Sequence, residues 1–249
     1  MAHKAVGIDI GGTGIKGAIV DVSTGKLLSD RVKLPTPEGG EPQDIVDTVG
    51  KVITKLGGLK KKEPIGVCFP AVVVKGTTLS AANVSKNWIG LDAAKLFQRS
   101  FDADIRFVND ADAAGYAETL FGAAEKRKGL VIMTTLGTGI GTALIYNGVL
   151  IPNAELGHLE LDGVDYETKA AYSAKERENL SWTDWAARLQ KYYGALEKYF
   201  HPDLFIVGGG VSKEYEDFLP LLKLSVPIVP ATLRNNAGIL GAAALAAGR

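Results

Sequence analysis

The sequence has little cysteine, little histidine and no excess of either charge. Cys68 is the only cysteine among 249 residues, so no disulfide and no cysteine-based metal site can form within the chain. Lysine plus arginine total 28, as do aspartate plus glutamate, which indicates neither a nucleic acid nor a membrane as a partner. The sequence shows no charged-then-apolar leader, and its longest apolar run, 237–248, is about half the ~20 residues that a membrane span needs. We therefore expect a soluble, cytoplasmic protein.

Glycine is the residue in excess, with 30 glycines, or about 12% against a usual ~7%. The first glycine-rich turn lies between strands predicted over 5–10 and 15–21, and its residues are Gly11, Gly12, Thr13 and Gly14. Glycines let the main chain approach an anion, threonine adds a donor, and Lys16 adds a positive charge. The turn predicts a phosphate-binding hairpin, with Asp9 beside it as a magnesium site, directly or through water.

Two better-known phosphate motifs do not apply here. Residues 12–17 match G-x-G-x-x-G, but a dinucleotide-binding fold requires a helix after those glycines, and the residues that follow predict a strand. The P-loop pattern G-x-x-x-x-G-K-[ST] does not occur in the sequence. An ordinary tight hairpin without a ligand remains the alternative for this stretch taken alone.

A second copy of the hairpin favours the phosphate interpretation. Residues 135–146 repeat the order strand, turn, strand, with Gly137, Thr138 and Gly139 in the turn, and each copy leads into a third short strand over 27–33 or 149–151. Such internal similarity indicates two equivalent halves. The combination resembles the duplicated fold shared by sugar kinases, actin and the heat-shock chaperone ATPases, in which paired hairpins grip the phosphates of a nucleotide.

The resemblance implies an α/β protein with a duplicated actin-like (ribonuclease H-like) ATPase fold and two lobes around a central cleft. We expect residues 1–109 plus 236–249 to form the smaller lobe and 110–235 the larger one. The remaining patterns predict helices over 45–56 and 111–120, from 181, from about 212 and from about 236, strands over 65–69, 105–108 and 204–207, and an extension of the sheet over 72–76.

Several polar residues at the ends of these elements are candidates for chemistry. Asp110 stands where a strand gives way to a helix, so its default role is that of a capping carboxylate. A helix N-terminus also keeps a carboxylate ionised, which suits a base that accepts a hydroxyl proton during phosphoryl transfer. Asn109 beside it could orient the same sugar. Asp112 is the competing base, and spacing does not separate the two.

Two further stretches have a chemical and a plainer interpretation. Glu155 and His158 can both hydrogen-bond vicinal sugar hydroxyls, whereas metal binding is the weaker interpretation because no HExxH motif is present. Residues 208–210 (Gly208, Gly209 and Gly210) could admit a ribose or phosphates against bare backbone, or form a tight strand-to-helix turn. The segment 81–90 combines asparagines with Trp88, which suits a sugar, although a surface loop pinned by Trp88 would have the same composition.

Taken in order, the motifs resemble the signature set of the repressor and sugar-kinase (ROK) family. The matching stretches are 9–13 (DIGGT), 109–110 (ND), 136–141 (LGTGIG), 155–158 (ELGH) and 206–210 (IVGGG). Three others are similar to the polyphosphate-using glucokinases and glucomannokinases of that family, namely 81–84 (AANV), 150–155 (LIPNAE) and 182–186 (WTDWA). By this resemblance Asp110 is the base for the sugar 6-hydroxyl. The residues that it implies for the hexose are Asn83, Asn109, Glu155, His158 and Glu167, and both hairpins would hold the phosphoryl donor.

The resemblance implies phosphorylation of glucose at its 6-hydroxyl, with inorganic polyphosphate and also ATP as donors and Mg²⁺ as cofactor. Many family members carry a cysteine-rich zinc loop after the Gly-His pair, but 159–180 contain no cysteine, so we expect no zinc. We expect a homodimer, and mannose as a possible second sugar. The alternatives are a strictly ATP-dependent hexokinase of the family and a sugar-sensing regulator, which would carry a DNA-reading segment ahead of the sugar fold. A filament or chaperone ATPase would leave Glu155 and His158 without a purpose.

Overall fold

The computed structural model describes residues 4–59, 63–81 and 84–248. Its internal contacts divide the chain into two compact units. Unit 1 runs to Ala117 and resumes at Asn236, and unit 2 comprises Glu118–Asn235. We expected the lobe boundary after Asn109, at the start of the helix Asp110–Phe121, whereas the contacts divide the two units within that helix, after Ala117. The division into functional lobes stays a prediction.

Unit 1 contains a mixed six-stranded sheet. The strands of this unit are β1 (Lys4–Ile10), β2 (Gly14–Asp21), β3 (Lys26–Leu27), β4 (Val32–Pro35), β5 (Ile65–Phe69), β6 (Val73–Val74), β7 (Thr77–Thr78) and β8 (Ile105–Asn109). The sheet order is β3-β2-β1-β5-β8, with β4 also pairing with β2. β1 and β2 are antiparallel, whereas β5 and β8 continue the sheet in parallel with β1. The parallel strands therefore bring their carboxyl ends to one edge.

Two predictions for this sheet were wrong. The single strand expected over 27–33 is two short strands, because the Ser29 hydroxyl accepts a hydrogen bond from Ile19 N at 3.0 Å and takes the place of a ladder bond there. The extension expected over 72–76 is a separate two-stranded hairpin of β6 and β7. Lys75 and Gly76 have φ values of 51° and 81°, which produce a tight turn between those strands.

Unit 2 repeats the plan of the first sheet. Its strands are β9 (Leu130–Leu136), β10 (Ile140–Tyr146), β11 (Val149–Ile151), β12 (Glu160–Leu161), β13 (Val164–Asp165), β14 (Leu204–Gly208) and β15 (Ile228–Pro230). The main sheet has the order β11-β10-β9-β14-β15, in which three antiparallel strands are followed by two parallel ones. This repetition confirms the duplication predicted from the two hairpins.

The helices of the described chain cover these sheets. They are α1 (Pro42–Lys55), α2 (Ala93–Phe101), α3 (Asp110–Phe121), α4 (Glu167–Ala170), α5 (Tyr172–Arg177), α6 (Trp182–Phe200), α7 (Tyr215–Phe218) and α8 (Ala237–Ala246). Ser181 caps α6 as predicted, since its side chain accepts a hydrogen bond from Asp184 N. The helix expected from about residue 212 is instead a 3-10 turn over Gly210–Glu214 followed by the single turn α7. No helix of the described residues is both long and apolar enough to cross a membrane.

The last helix, α8, packs closely on β1 and β5 because glycines face it. A Cβ atom on Gly7 would lie 2.1 Å from the Ile239 carbonyl oxygen, and one on Gly66 would lie 1.8 Å from the Ala242 carbonyl oxygen. A side chain at either position would push the helix away from the sheet. The chain therefore returns from unit 2 to complete the core of unit 1, with α8 behind the strands that lead to the first hairpin and to Asp110.

Candidate active site

The first hairpin is an exposed turn that its neighbours hold in place. Gly11 N donates to the Gly14 carbonyl oxygen at 3.1 Å, and the hydroxyl of Thr36 donates to the Gly11 carbonyl oxygen at 2.5 Å. Thr36 N also donates to the Thr13 carbonyl oxygen at 3.5 Å. Gly12 and Thr13 at the tip are exposed. The turn is thus held from the segment after β4 while its tip stays open to solvent, as an anion-binding hairpin requires.

Asp9 is held between a lysine and a thiol. Lys16 lies directly opposite it on β2, and the Lys16 Nζ atom is 2.9 Å from Asp9 Oδ2. Cys68, its neighbour on β5, donates a weak hydrogen bond from Sγ to Asp9 Oδ1 over 3.6 Å. The Asp9 side chain keeps 17% of its surface exposed, so solvent or a ligand can reach the carboxylate.

Asp9 fits a magnesium ion held mainly through water. Mg²⁺ keeps several waters and uses one or two carboxylates together with substrate phosphates, so it does not need a cage of protein ligands. Across the described ranges, no group of three or more His, Cys, Asp or Glu side chains is placed to hold a metal ion. A partly exposed carboxylate next to a glycine hairpin is therefore a suitable donor for a divalent ion that arrives with its phosphate.

Cys68 is a core residue that links Asp9 to the far side of the sheet. Burial raises the pKa of the Cys68 thiol well above its usual value, and the charges of Asp9 and Asp110 raise it further. The thiol therefore stays protonated and serves as a donor. Asp110 acts on the same thiol because β1, β5 and β8 end together, with Cys68 in register with both Asp9 and Val108.

Asp110 opens α3, but its neighbour provides the helix cap. Asn109 Oδ1 accepts from Asp112 N at 3.0 Å, and Asn109 Nδ2 donates to the Ala71 carbonyl oxygen at 3.0 Å. Asp110 Oδ1 accepts from Ala111 N at 2.8 Å. Asp110 is half-buried, whereas Asp112 is only 2% exposed. Of the two carboxylates that spacing could not separate, Asp110 is the one more accessible to a substrate.

The second hairpin carries its own carboxylate. Gly137 N donates to the Gly139 carbonyl oxygen at 3.0 Å, and Ser173 holds the tip, since its hydroxyl donates to the Thr138 carbonyl oxygen at 2.6 Å. Glu167 Oε2 accepts from Ile140 N at 2.6 Å. A Cβ on Gly139 would lie 2.4 Å from the same oxygen, so a side chain there would displace the Glu167 carboxylate. The pairing of Leu136 with Ile140 encloses three residues, one fewer than the first hairpin encloses between Ile10 and Ile15.

Next to this hairpin lies a cluster of Glu155, His158 and Asp165. Glu155 precedes a short 3-10 helix (Leu156–His158), and the distance between His158 Nε2 and Glu155 Oε2 is 4.0 Å. His158 Nδ1 is 2.8 Å from Asp165 Oδ2. Gly157 packs the loop on the hairpin, because a Cβ there would lie 2.0 Å from the Ile140 carbonyl oxygen.

The cluster favours the protonated form of His158. The hydrogen bond to Asp165 raises the pKa of His158 against the effect of partial burial, and the charges of Glu167, Asp165 and Glu155 raise it further. Burial raises the pKa of Glu155, although His158 opposes this effect. About half of the side-chain surface of both Glu155 and His158 is exposed. A donor and an acceptor thus stand side by side at the surface, which suits recognition of neighbouring hydroxyl groups.

Asp165 is a site residue that sequence reasoning missed. It lies directly across from Glu160 in the small antiparallel pair of β12 and β13. The signal that could have found it is the Asp162-Gly163 pair, since this dipeptide is typical of a tight hairpin turn and would fold the following strand back toward His158.

The surroundings of the other residues predicted from the sequence indicate structural roles. Gly209 has a φ of 84° and lies against the end of β9, where a Cβ would be 2.1 Å from the Leu136 carbonyl oxygen. Gly209 and Gly210 are exposed, but no regular helix starts there. Trp88 is fully buried and donates from its indole nitrogen to the Gly40 carbonyl oxygen at 2.8 Å, so it anchors its loop. Asn83 lies outside the described residues.

Two equivalent sheets, each with a glycine hairpin between its first two strands, define the actin-like ATPase fold that sugar kinases use. The ROK family model matches residues 5–170 of this chain, and the chain belongs to the ROK family. It is 46% identical over 238 residues to the polyphosphate glucokinase of Mycobacterium tuberculosis (strain CDC 1551 / Oshkosh). The aligned region covers 95% of this chain and 89% of that protein.

Solved structures give the same placement. The inorganic polyphosphate/ATP-glucomannokinase from Arthrobacter sp. strain KM is 49% identical, with a TM-score of 0.93 and 98% of both chains covered. A ROK family glucokinase from Streptomyces griseus, solved in complex with glucose and AMPPNP, is 25% identical, with a TM-score of 0.83 over 99% of this chain and 100% of that one.

Proposed function

We propose that this chain is a polyphosphate/ATP-dependent glucokinase that transfers a phosphoryl group to the 6-hydroxyl of glucose. The observation that carries the proposal is near full-length similarity to two polyphosphate-using sugar kinases in a chain that keeps both hairpins and an accessible Asp110. The similarity supports the donor and the sugar, and the geometry supports the catalytic group.

Asp110 is the general base in this proposal. As the glucose oxygen bonds to the terminal phosphorus, the bond from that phosphorus to the bridging oxygen of the donor breaks and ADP or the shortened polyphosphate leaves. The hydroxyl proton passes to the Asp110 carboxylate. The N-terminus of α3 favours the ionised carboxylate that this transfer needs. Asp112 lies deeper in the same helix turn and is 2% exposed, which supports Asp110 over Asp112.

Each of the two hairpins is assigned to the phosphoryl donor in this proposal. Phosphoryl transfer has a loose, highly charged transition state, so alignment and charge stabilisation do most of the catalytic work. The residues assigned to the donor are Asp9, Gly11, Gly12, Thr13, Gly14, Lys16, Gly137, Thr138, Gly139, Gly208, Gly209 and Gly210. Lys16, paired with Asp9, places a positive charge next to the first hairpin, and Asp9 would hold Mg²⁺. When bound, that ion neutralises phosphate charge.

The polar cluster of unit 2 is assigned to the hexose in this proposal. Glu155 and His158 bind neighbouring hydroxyls as acceptor and donor. Asp165 engages Nδ1 of His158 and so leaves Nε2 for the sugar. Asn83, Asn109 and Glu167 complete the expected set, and Glu167 also supports the second hairpin through Ile140 N.

The test is a coupled assay for glucose 6-phosphate with the purified chain. Glucose and mannose are each supplied with polyphosphate or with ATP, with and without excess EDTA. We expect turnover of glucose with both donors and loss of activity in EDTA. Turnover with ATP alone would reduce the proposal to the alternative, a strictly ATP-dependent hexokinase, and absence of turnover with every pair would refute it. Light scattering on a size-exclusion column tests the expected homodimer in the same preparation.

A further inference from the structure

We propose that Lys33 on β4 binds the phosphate chain next to the first hairpin and thereby favours polyphosphate over ATP as donor. The inference rests on the proposed function and assigns a donor-selective contact within it. It depends on where β4 runs and on the charges of three neighbouring strands.

Lys33 belongs to a cross-strand row that ends beside the hairpin. It lies directly opposite Lys16, and Lys16 lies directly opposite Asp9, so the three side chains share one face of β4, β2 and β1. Cys68 extends the row on the other side of Asp9. The row therefore changes from an uncharged thiol at the centre of the sheet to an exposed lysine at β4.

The absence of a side chain on Gly14 leaves space for the Lys33 side chain beside the hairpin. A Cβ on Gly14 would lie 2.9 Å from Lys33 Cε and 3.8 Å from Lys33 Cγ, so the aliphatic part of Lys33 crosses the space that a larger residue 14 would fill. Gly14 is buried, whereas Lys33 is exposed. Lys33 thus covers the base of the hairpin, and its ammonium group extends toward solvent beside the predicted phosphate site.

The charges of the row leave Lys33 available for an anion. Lys16 is paired with Asp9 at 2.9 Å, which offsets most of its charge. In the described part of the chain, Lys33 takes part in none of the ion pairs. Lys33 is therefore the lysine of this row whose charge is left for a bound polyanion.

The contact with Lys33 favours polyphosphate over ATP because the two donors carry different charge beyond their first phosphates. Beyond its three phosphates ATP continues as an uncharged nucleoside, whereas polyphosphate continues with about one negative charge per phosphate. A lysine at the solvent side of the hairpin therefore binds more strongly to a donor whose charged chain continues beyond the transferred phosphoryl group. Such a contact is electrostatic and therefore weakens as salt is added.

The experiment compares Lys33→Ala with Lys26→Ala. Lys26 is an exposed lysine on β3 that pairs with Asp21 at the other end of β2. At a rise of about 3.3 Å per residue, it lies roughly 20 Å from the hairpin, which makes it a control for the loss of one charge. KM for polyphosphate and for ATP is measured at two salt concentrations, and binding of fluorescent polyphosphate is measured by anisotropy without sugar.

We expect Lys33→Ala to raise the polyphosphate KM and the anisotropy Kd roughly three- to tenfold at low salt, with the ATP KM within about twofold of the parent. Lys33→Arg should restore most of the loss, and Lys26→Ala should match the parent. Equal changes for both donors, or equal effects of Lys33→Ala and Lys26→Ala, would overturn the inference. If the parent turns over only ATP, the proposed function fails, and the anisotropy series still decides whether Lys33 binds polyphosphate.

Discussion

Glu118 provides the clearest prediction of stability, because a buried carboxylate there supports two segments of unit 2. Its side chain is fully buried. Oε2 accepts from Ala123 N at 2.7 Å and from the Thr232 hydroxyl at 3.0 Å, and Oε1 accepts from Leu233 N at 2.8 Å. Removing the carboxylate leaves two backbone N–H groups and one hydroxyl without that acceptor.

The size of the effect follows from those three bonds. A buried donor that loses its partner costs about 1–3 kcal/mol, and the Thr232 hydroxyl can rotate toward another acceptor. Glu118→Ala should therefore lower the free energy of unfolding by about 3–5 kcal/mol, counting mainly the two N–H groups and the lost packing. Glu118→Gln keeps the shape and one acceptor, so it should cost about 1–2 kcal/mol.

Urea unfolding followed by far-UV circular dichroism measures these differences. The matched control is Glu125→Ala, because the Glu125 side chain is 52% exposed and, within the described ranges, takes part in a surface ion pair with Lys126. The control should change the free energy by no more than about 0.5 kcal/mol. If Glu118→Ala stays within about 1 kcal/mol of the Glu125→Ala control, the Glu118 carboxylate does not stabilise the fold as a buried acceptor.

Two further predictions concern the polar cluster. Asp165→Asn removes the main cause of the raised pKa of His158, so the NMR titration of His158 should move to lower pH. The stability that this pair contributes is present below about pH 6.5 and is lost as pH rises through the folded-state pKa, so the variant should be destabilised more at pH 5 than at pH 9, and an equal loss at both would contradict this. Gly157→Ala places a methyl group 2.0 Å from the Ile140 carbonyl oxygen and should raise the glucose KM at least tenfold, whereas an unchanged KM would show that the loop yields freely.

Much of the fold follows from local pattern. The glycine turns, the β-branched strands around them and their repetition predicted the two hairpins of the main sheets, because each signal lies within a few residues. The helical pattern that begins at 181 predicted α6 for the same reason. The strand expected over 27–33 failed, since a single serine hydroxyl that replaces a backbone partner leaves no periodic signal.

The site was less accessible to prediction than the fold. Sequence spacing brought Glu155 and His158 together, but it could not show that Asp165 folds back onto the histidine or that Glu167 accepts from Ile140 N. Sequence spacing also could not separate Asp110 from Asp112. The two carboxylates lie in the same helix turn and differ in burial, since Asp110 is half-buried and Asp112 is buried. Such contacts depend on tertiary packing, which a single sequence does not reveal.

The proposed mechanism requires that Asp110 accepts the sugar proton during transfer from polyphosphate. The most direct measurement is kcat for glucose 6-phosphate formation by Asp110→Asn, together with its glucose Kd from calorimetry. We expect kcat to fall by roughly 10² to 10⁴ while the glucose Kd changes by less than about threefold. Near-normal kcat in Asp110→Asn would show that Asp110 is not the general base.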